Sequence, residues 1–154
     1  MAVTYIGATL AIATGLPATI DAAGFGALTW VESAIGTVSI GVIGDTHATV
    51  PVSDITIGRA QQLKGEVTGA TTNIAFAREE ATGGGLIPLQ AAFKAASDAK
   101  HSEYSIRVTE RGGQLHYIGG PVMNWSNTEM TTGSYAGFTV DVANNTGEIS
   151  VYPA

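Results

Sequence analysis

Apolar residues in this chain recur mostly with a period of two. Val38, Ile40 and Val42 alternate with Thr37, Ser39 and Gly41, the spacing of a half-buried strand. Val50, Val52, Ile55 and Ile57 alternate again, with a slip at Ser53-Asp54, and Pro51 restricts that run to an edge or a loop arm. Ile74 and Phe76 share one face of an extended stretch over 66–78, and Ala75 and Ala77 share the other. Tyr104, Ile106 and Val108 form the next alternation, followed by the turn Arg111-Gly112-Gly113-Gln114, whose glycines permit positive φ at both central positions. Leu115 to Ile118 is its partner strand, Gly119-Gly120-Pro121 breaks it, and Val122 to Trp125 continues extended. Ala136, Phe138, Val140 and Val142 alternate over the next strand. Asn144 to Gly147 is a turn, and Ile149 and Val151 belong to a short final strand. Val3 to Ala13 is a candidate first strand ended by Leu16-Pro17, and Asp21 to Gly26 reads as a small-residue turn.

One segment departs from this period. Leu86, Leu89, Phe93 and Ala96 make a stripe at helical spacing over 86–99, after the glycine run 83–85. Pro88 suits the first turn, and Lys100 and His101 suit the C-terminal end. The expected fold class is mostly β (α+β), a β-sandwich or barrel flanked by one α-helix, in a single domain over 1–154. The stretch 45–62 is expected as a long inter-strand loop, and 1–22 as an extended N-terminal arm.

Composition sharpens this picture. Charged residues are 13% of the 154, about half the usual share, while 45% are hydrophobic. A chain with so few charges is expected to hide much of its surface against other subunits. No apolar run reaches the ~18 residues of a membrane span, and no Lys or Arg precedes the first apolar stretch as in a secretory signal. There is no cysteine, which excludes disulfides, thiolate metal sites and cysteine nucleophiles. The net charge of −6 argues against direct affinity for nucleic acid, because the seven basic residues are scattered; Arg59 with Lys64 and Arg107 with Arg111 come nearest to a patch.

Catalytic chemistry finds little support. His47, His101 and His116 lie in separate contexts, with no HExxH and no pair at metal-ligand spacing. There is no GxSxG elbow, and the run 83–85 lacks the Lys and Ser/Thr of a phosphate-binding loop. Glu79-Glu80 and Glu103 with Glu110 are the carboxylate groupings; Glu79-Glu80 reads as a solvated edge, and His116 as a cross-strand packing residue. The expectation is a protein that is not an enzyme and holds no cofactor or metal.

Trp30-Val31-Glu32, the following VSIGVIG, the excursion to Ile55-Thr56-Ile57, Leu63-Lys64-Gly65, the strand ending Ala75-Phe76-Ala77 and the closing GFTVDVANNTGEI together carry a resemblance. Over residues 27–150 the order and spacing are similar to the tail tube proteins (major tail proteins) of long-tailed, siphovirus-like bacteriophages. The resemblance implies a structural virion protein whose six copies form a ring, with rings stacked into a hollow tube that conducts DNA into the host. It implies other tail proteins, such as tape measure and terminator, as partners. Double-stranded DNA would transit without specific binding, and no membrane is involved. The protein would reside in the virion tail after assembly in the host bacterial cytoplasm. The long loop and N-terminal arm would bridge rings, giving an interface that includes Trp30, Asp45, His47, Val50, Asp54, Arg59, Gln62, Leu63 and Lys64. Alternatives are another self-assembling protein (capsid decoration, pilus-like or secretion-system tube) or a carbohydrate-binding sandwich using Trp30 and Trp125.

Overall fold

The computed structural model describes residues 2–33, 35–56, 58–99 and 102–153, without the side chain of Asp54. The elements in chain order are β1 (Thr9–Thr14), α1 (Ala22–Gly26), β2 (Val31–Ser33), β3 (Thr37–Ile40), β4 (Asp45–Asp54), β5 (Arg59–Gly69) and β6 (Thr72–Ala77). They continue with α2 (Pro88–Asp98), β7 (Tyr104–Thr109), β8 (Leu115–Gly120), β9 (Val122–Asn127), β10 (Gly137–Val142) and β11 (Ile149–Val151). One sheet has the order β11-β8-β7-β1-β2, a second β3-β6-β10-β9, and β4 and β5 pair only with each other. All described pairings are antiparallel.

The two larger sheets face each other across one core. Leu10 and Ile12 of β1 and Ile106 and Val108 of β7 point inward from the first sheet. Ile74 and Phe76 of β6 and Phe138, Val140 and Val142 of β10 answer from the second. Helix α2 fills one side of the sandwich with Leu89, Phe93 and Ala96, all buried. Phe76 is the hub: its ring lies 5.1 Å from Phe93 and 4.9 Å from Phe138. Gln90 fastens the helix to β6, donating from Nε2 to the Ala77 carbonyl at 2.8 Å and accepting from the Glu79 amide at 3.0 Å. These bonds let a fully buried amide sit in the core at little cost.

The mostly β expectation and the helix stripe hold, and several details change. Leu86 lies before the helix, paired to Glu80 across an isolated bridge; Lys100 and His101 are outside the described residues. In the β7–β8 turn only Gly113 takes positive φ, at 93°. Gly119 and Gly120 continue β8 rather than break it. A Cβ on Gly120 would stand 2.1 Å from the Ala143 carbonyl oxygen, so close approach, not flexibility, requires glycine there. Residues 21–26 hold a short helix instead of a turn, with Asp21 accepting from the Gly24 amide at 2.6 Å as its N-cap. The presumed arm 1–22 is also divided. Thr9–Thr14 is an interior strand between β7 and β2, because its Leu10 and Ile12 bury completely or nearly so. The segment 2–7 is exposed.

Candidate functional site

The stretch 45–62, expected as a loop, is most of a long β-hairpin. Strand β4 runs its ten residues out, and β5 returns over eleven. At about 3.4 Å per residue each arm reaches roughly 30 Å. Both faces are solvated over almost the whole length. The register places Val50 opposite Leu63 and Val52 opposite Gln61, so these share one face with Arg59. Thr49, Pro51, Gln62 and Lys64 line the other face. Between His47 and Thr49 the register shifts by one residue, and Gly65 sits there with its Cα side against Ala48 and Val50. Ile55 in the turn is 97% exposed. Ile57 and the Asp54 side chain, both part of the sequence reading, are outside the described residues.

The hairpin is anchored at its base. Asn144, buried in the turn after β10, donates from Nδ2 to the Gly44 carbonyl at 3.3 Å and to Asp45 Oδ1 at 3.4 Å. Its own Oδ1 accepts from the Gly147 amide at 3.0 Å. The Ala70 amide donates to the Gly44 carbonyl at 2.8 Å. Gly69 presses on Asn144 so closely that a Cβ would lie 2.1 Å from the Asn144 carbonyl oxygen. The direction in which the hairpin leaves the body is therefore set by packed groups. A two-stranded ribbon with no face buried is marginal by itself in water, so the hairpin's geometry suits contact with another molecule.

The sandwich is open on the side away from α2. A cleft of about 820 Å³ lies between edge strand β3 and the inner face of β7 and β8. Val38, Ile40, Val42, Val108, Tyr5 and Tyr152 contribute its apolar lining. Val38 is 54% and Val42 77% exposed, more than the half-buried strand reading expects, because β3 is an edge strand distorted at Val38. His116 and Glu148 lie at the same cleft.

His116 is not a simple packing residue. Its Nε2 is 2.6 Å from Glu110 Oε2, and its Nδ1 is 3.1 Å from Glu148 Oε1 and 2.9 Å from Ser150 Oγ. Ser150 also hydrogen-bonds Glu148. Burial disfavours the charged ring, but the hydrogen bonds and negative charges of Glu110 and Glu148 outweigh it, and the pKa is raised from 6.5. A raised folded-state pKa gives stability that is full below the unfolded value and lost as pH rises through the folded value. Replacing His116 with Gln is thus expected to lower the melting temperature more at about pH 6 than at about pH 9. Thermal melts of both proteins at both pH values check this, and an equal difference at the two pH values would refute it. The sequence grouping of Glu110 with Glu103 is superseded, since the carboxylate that joins Glu110 is Glu148.

The remaining sequence-flagged residues are scattered. Trp30 lies on the outer face of the five-stranded sheet, donating from Nε1 to the Phe25 carbonyl at 3.1 Å. Its ring packs against Tyr117 at 5.9 Å and under the Arg107 guanidinium at 5.0 Å, while Phe25 stacks on Tyr117 at 5.0 Å. Arg107 pairs with Glu32 at 2.6 Å rather than forming a basic patch with Arg111. Trp30 is therefore remote from the hairpin in its role, which is to hold α1 on the sheet. Trp125 stacks on Phe138 at 3.9 Å and lies beneath Lys94 at 4.9 Å, so neither tryptophan presents a free sugar-stacking face. Asp45, His47, Val50, Arg59, Gln62, Leu63 and Lys64 do come together, on one ribbon. Among the described residues no group of three His, Asp or Glu side chains is placed so that it could hold a metal ion, and no helix is long and apolar enough to cross a membrane.

No family model matches the chain, and no curated protein matches it. Solved structures do. The chain is similar in fold to components of contractile injection systems. A chain of the six-fold-symmetrised anti-feeding prophage baseplate superposes with a TM-score of 0.63 at 10% identity, over 98% of this chain and 95% of that one. A chain from the PVC sheath/tube terminator of an extracellular contractile injection system gives 0.54 at 10% identity, covering 93% of each. A chain from the PVC sheath–tube complex gives 0.51 at 14% identity, over 94% of this chain and 88% of that one. The likeness spans nearly the whole chain, and at these identities it is a likeness of fold.

Proposed function

We propose that this protein is a tube-forming subunit of a phage-tail-like particle, with a structural rather than a catalytic role. The observation that carries the reading is the exposed hairpin: an anchored ribbon of about 30 Å whose described residues are mostly exposed on both faces. Six copies join into a ring, rings stack, and the hairpin bridges neighbours. Free edges at β2, β3, β9 and β11 supply strands through which sheets can be continued between subunits. A closed head-to-tail ring and a stack of such rings are the natural products of heterologous contacts. The similar folds come from contractile injection systems with a sheath and a tube, which favours a contractile particle over the siphovirus-like one. A net charge of −6 suits a lumen through which DNA or another polyanion passes without being held. Tape-measure and terminator proteins would be its neighbours at the tube ends.

Electron microscopy of the purified protein at high concentration tests the reading. The expected result is rings with an open centre and six-fold symmetry, stacking into tubes as concentration rises. Single copies alone, from low to high salt, would overturn it.

A further inference from the structure

The assembly reading leaves open where a hairpin lands, and the subunit itself offers a complementary surface. We propose that the open mouth of the sandwich, between β3 and the inner face of β7 and β8, receives the apolar face of the β4–β5 hairpin from a second copy of this chain. This inference rests on the assembly reading and names the surface it uses.

The mouth is an unfinished side of the core. On the opposite side α2 buries Leu89, Phe93 and Ala96 between the sheets. On this side the corresponding space is a cleft of about 820 Å³, with Val38, Val42, Tyr5 and Tyr152 left 54%, 77%, 76% and 66% exposed. Apolar side chains gathered at a concave site gain from any apolar insert that excludes water.

The occupant must match in shape and chemistry, and the chain carries one such element. The hairpin bears Val50, Val52 and Leu63 on one face, exposed by 45%, 41% and 53%. Arg59 and Asp54, opposite each other in the register, continue the ribbon toward the turn beyond this apolar patch. None of the hairpin's own described residues lines the cleft of the same subunit. Its β4 follows β3 after the short link 41–44, and Asn144 and Ala70 hold the junction at Gly44 and Asp45. A second copy is under no such restraint.

The absence of cysteine makes a clean test, because every introduced thiol is unique. Full-length Val52→Cys and Val42→Cys proteins are mixed under assembling conditions and oxidised. The expected result is a disulfide-linked dimer of the two variants, formed several-fold faster than from Pro51→Cys, on the other hairpin face, with Val42→Cys. Assemblies in which the Val52→Cys pair links no faster than the Pro51→Cys pair would overturn the docking inference while leaving the assembly reading intact. No assembly of the wild-type protein under any condition would overturn both. A second variant, Val42→Asp, guards against a local effect of the thiols. Since Val42 is exposed, its melting temperature should stay near that of the wild type while assembly is lost. Assembly unaffected by Val42→Asp would also overturn the inference.

Discussion

Excising residues 46–68 and rejoining Asp45 to Gly69 through a two-residue turn is expected to yield a folded protein that lacks the ring and tube assembly proposed for the full chain. Asp45 and Gly69 are directly paired across the hairpin, so a tight turn can close that position without moving either end. The retained Gly44, Asp45 and Gly69 keep their contacts with Asn144, and the base of the ribbon survives. None of the described residues in the excised part belongs to the hydrophobic cluster. Stability of the isolated subunit should therefore change little, within about 1 kcal/mol, as for surface changes that spare the core. Assembly should be abolished, because the longest surface available to a neighbour is gone. Circular dichroism melts measure the first expectation, and sedimentation with electron microscopy measures the second. Tubes of normal length from the shortened protein would end the assembly role assigned to the hairpin. A subunit that fails to fold would instead mean that the ribbon supports the sandwich.

Replacing Phe76 by Ala is expected to have the largest effect on stability. Phe76 is fully buried between the rings of Phe93 and Phe138, and it joins the helix to the four-stranded sheet. Losing a buried phenyl ring and leaving a cavity costs about 3–5 kcal/mol. In a domain of this size each kcal/mol lowers the melting temperature by about 2–4 °C, so a fall of roughly 6–20 °C is expected. With total stabilities of about 5–15 kcal/mol, a marginal subunit would unfold outright. A calorimetric scan decides it. A fall of only 1–2 °C, comparable to a surface substitution, would mean that the core relaxes to fill the space and that Phe76 is not its hub.

Local pattern made much of this fold legible. The alternation at Phe138, Val140 and Val142 became β10 with those three residues buried. The stripe Leu89, Phe93 and Ala96 became the buried face of α2. Ile74 and Phe76 point inward as their spacing requires. In each case one face meets the core and the other does not, and that difference is written in the residue types. Strands β4 and β5 lack it. With both faces in water, their residues carry weak in-and-out contrast, and Pro51 and Gly65 further disguise them, so they read as loop. Val50, Arg59, Gln62, Leu63 and Lys64, named through the family resemblance, do lie together on this ribbon. What could not be read was their partition between two faces, which depends on register and on a one-residue shift beside His47.

Sequence alone was enough to establish a mostly β fold with a packed helix, few charges and no thiols. Those properties follow from residue types and short periods, which act within a few residues of chain. The tertiary structure alone decided that Glu110, His116 and Glu148 meet, that Asn144 clamps a hairpin about a hundred residues earlier in the chain, and that one side of the sandwich stays open. These are contacts between segments distant in sequence. They depend on which strands become neighbours, and that choice is made by the collective burial of the core rather than by any one stretch of it.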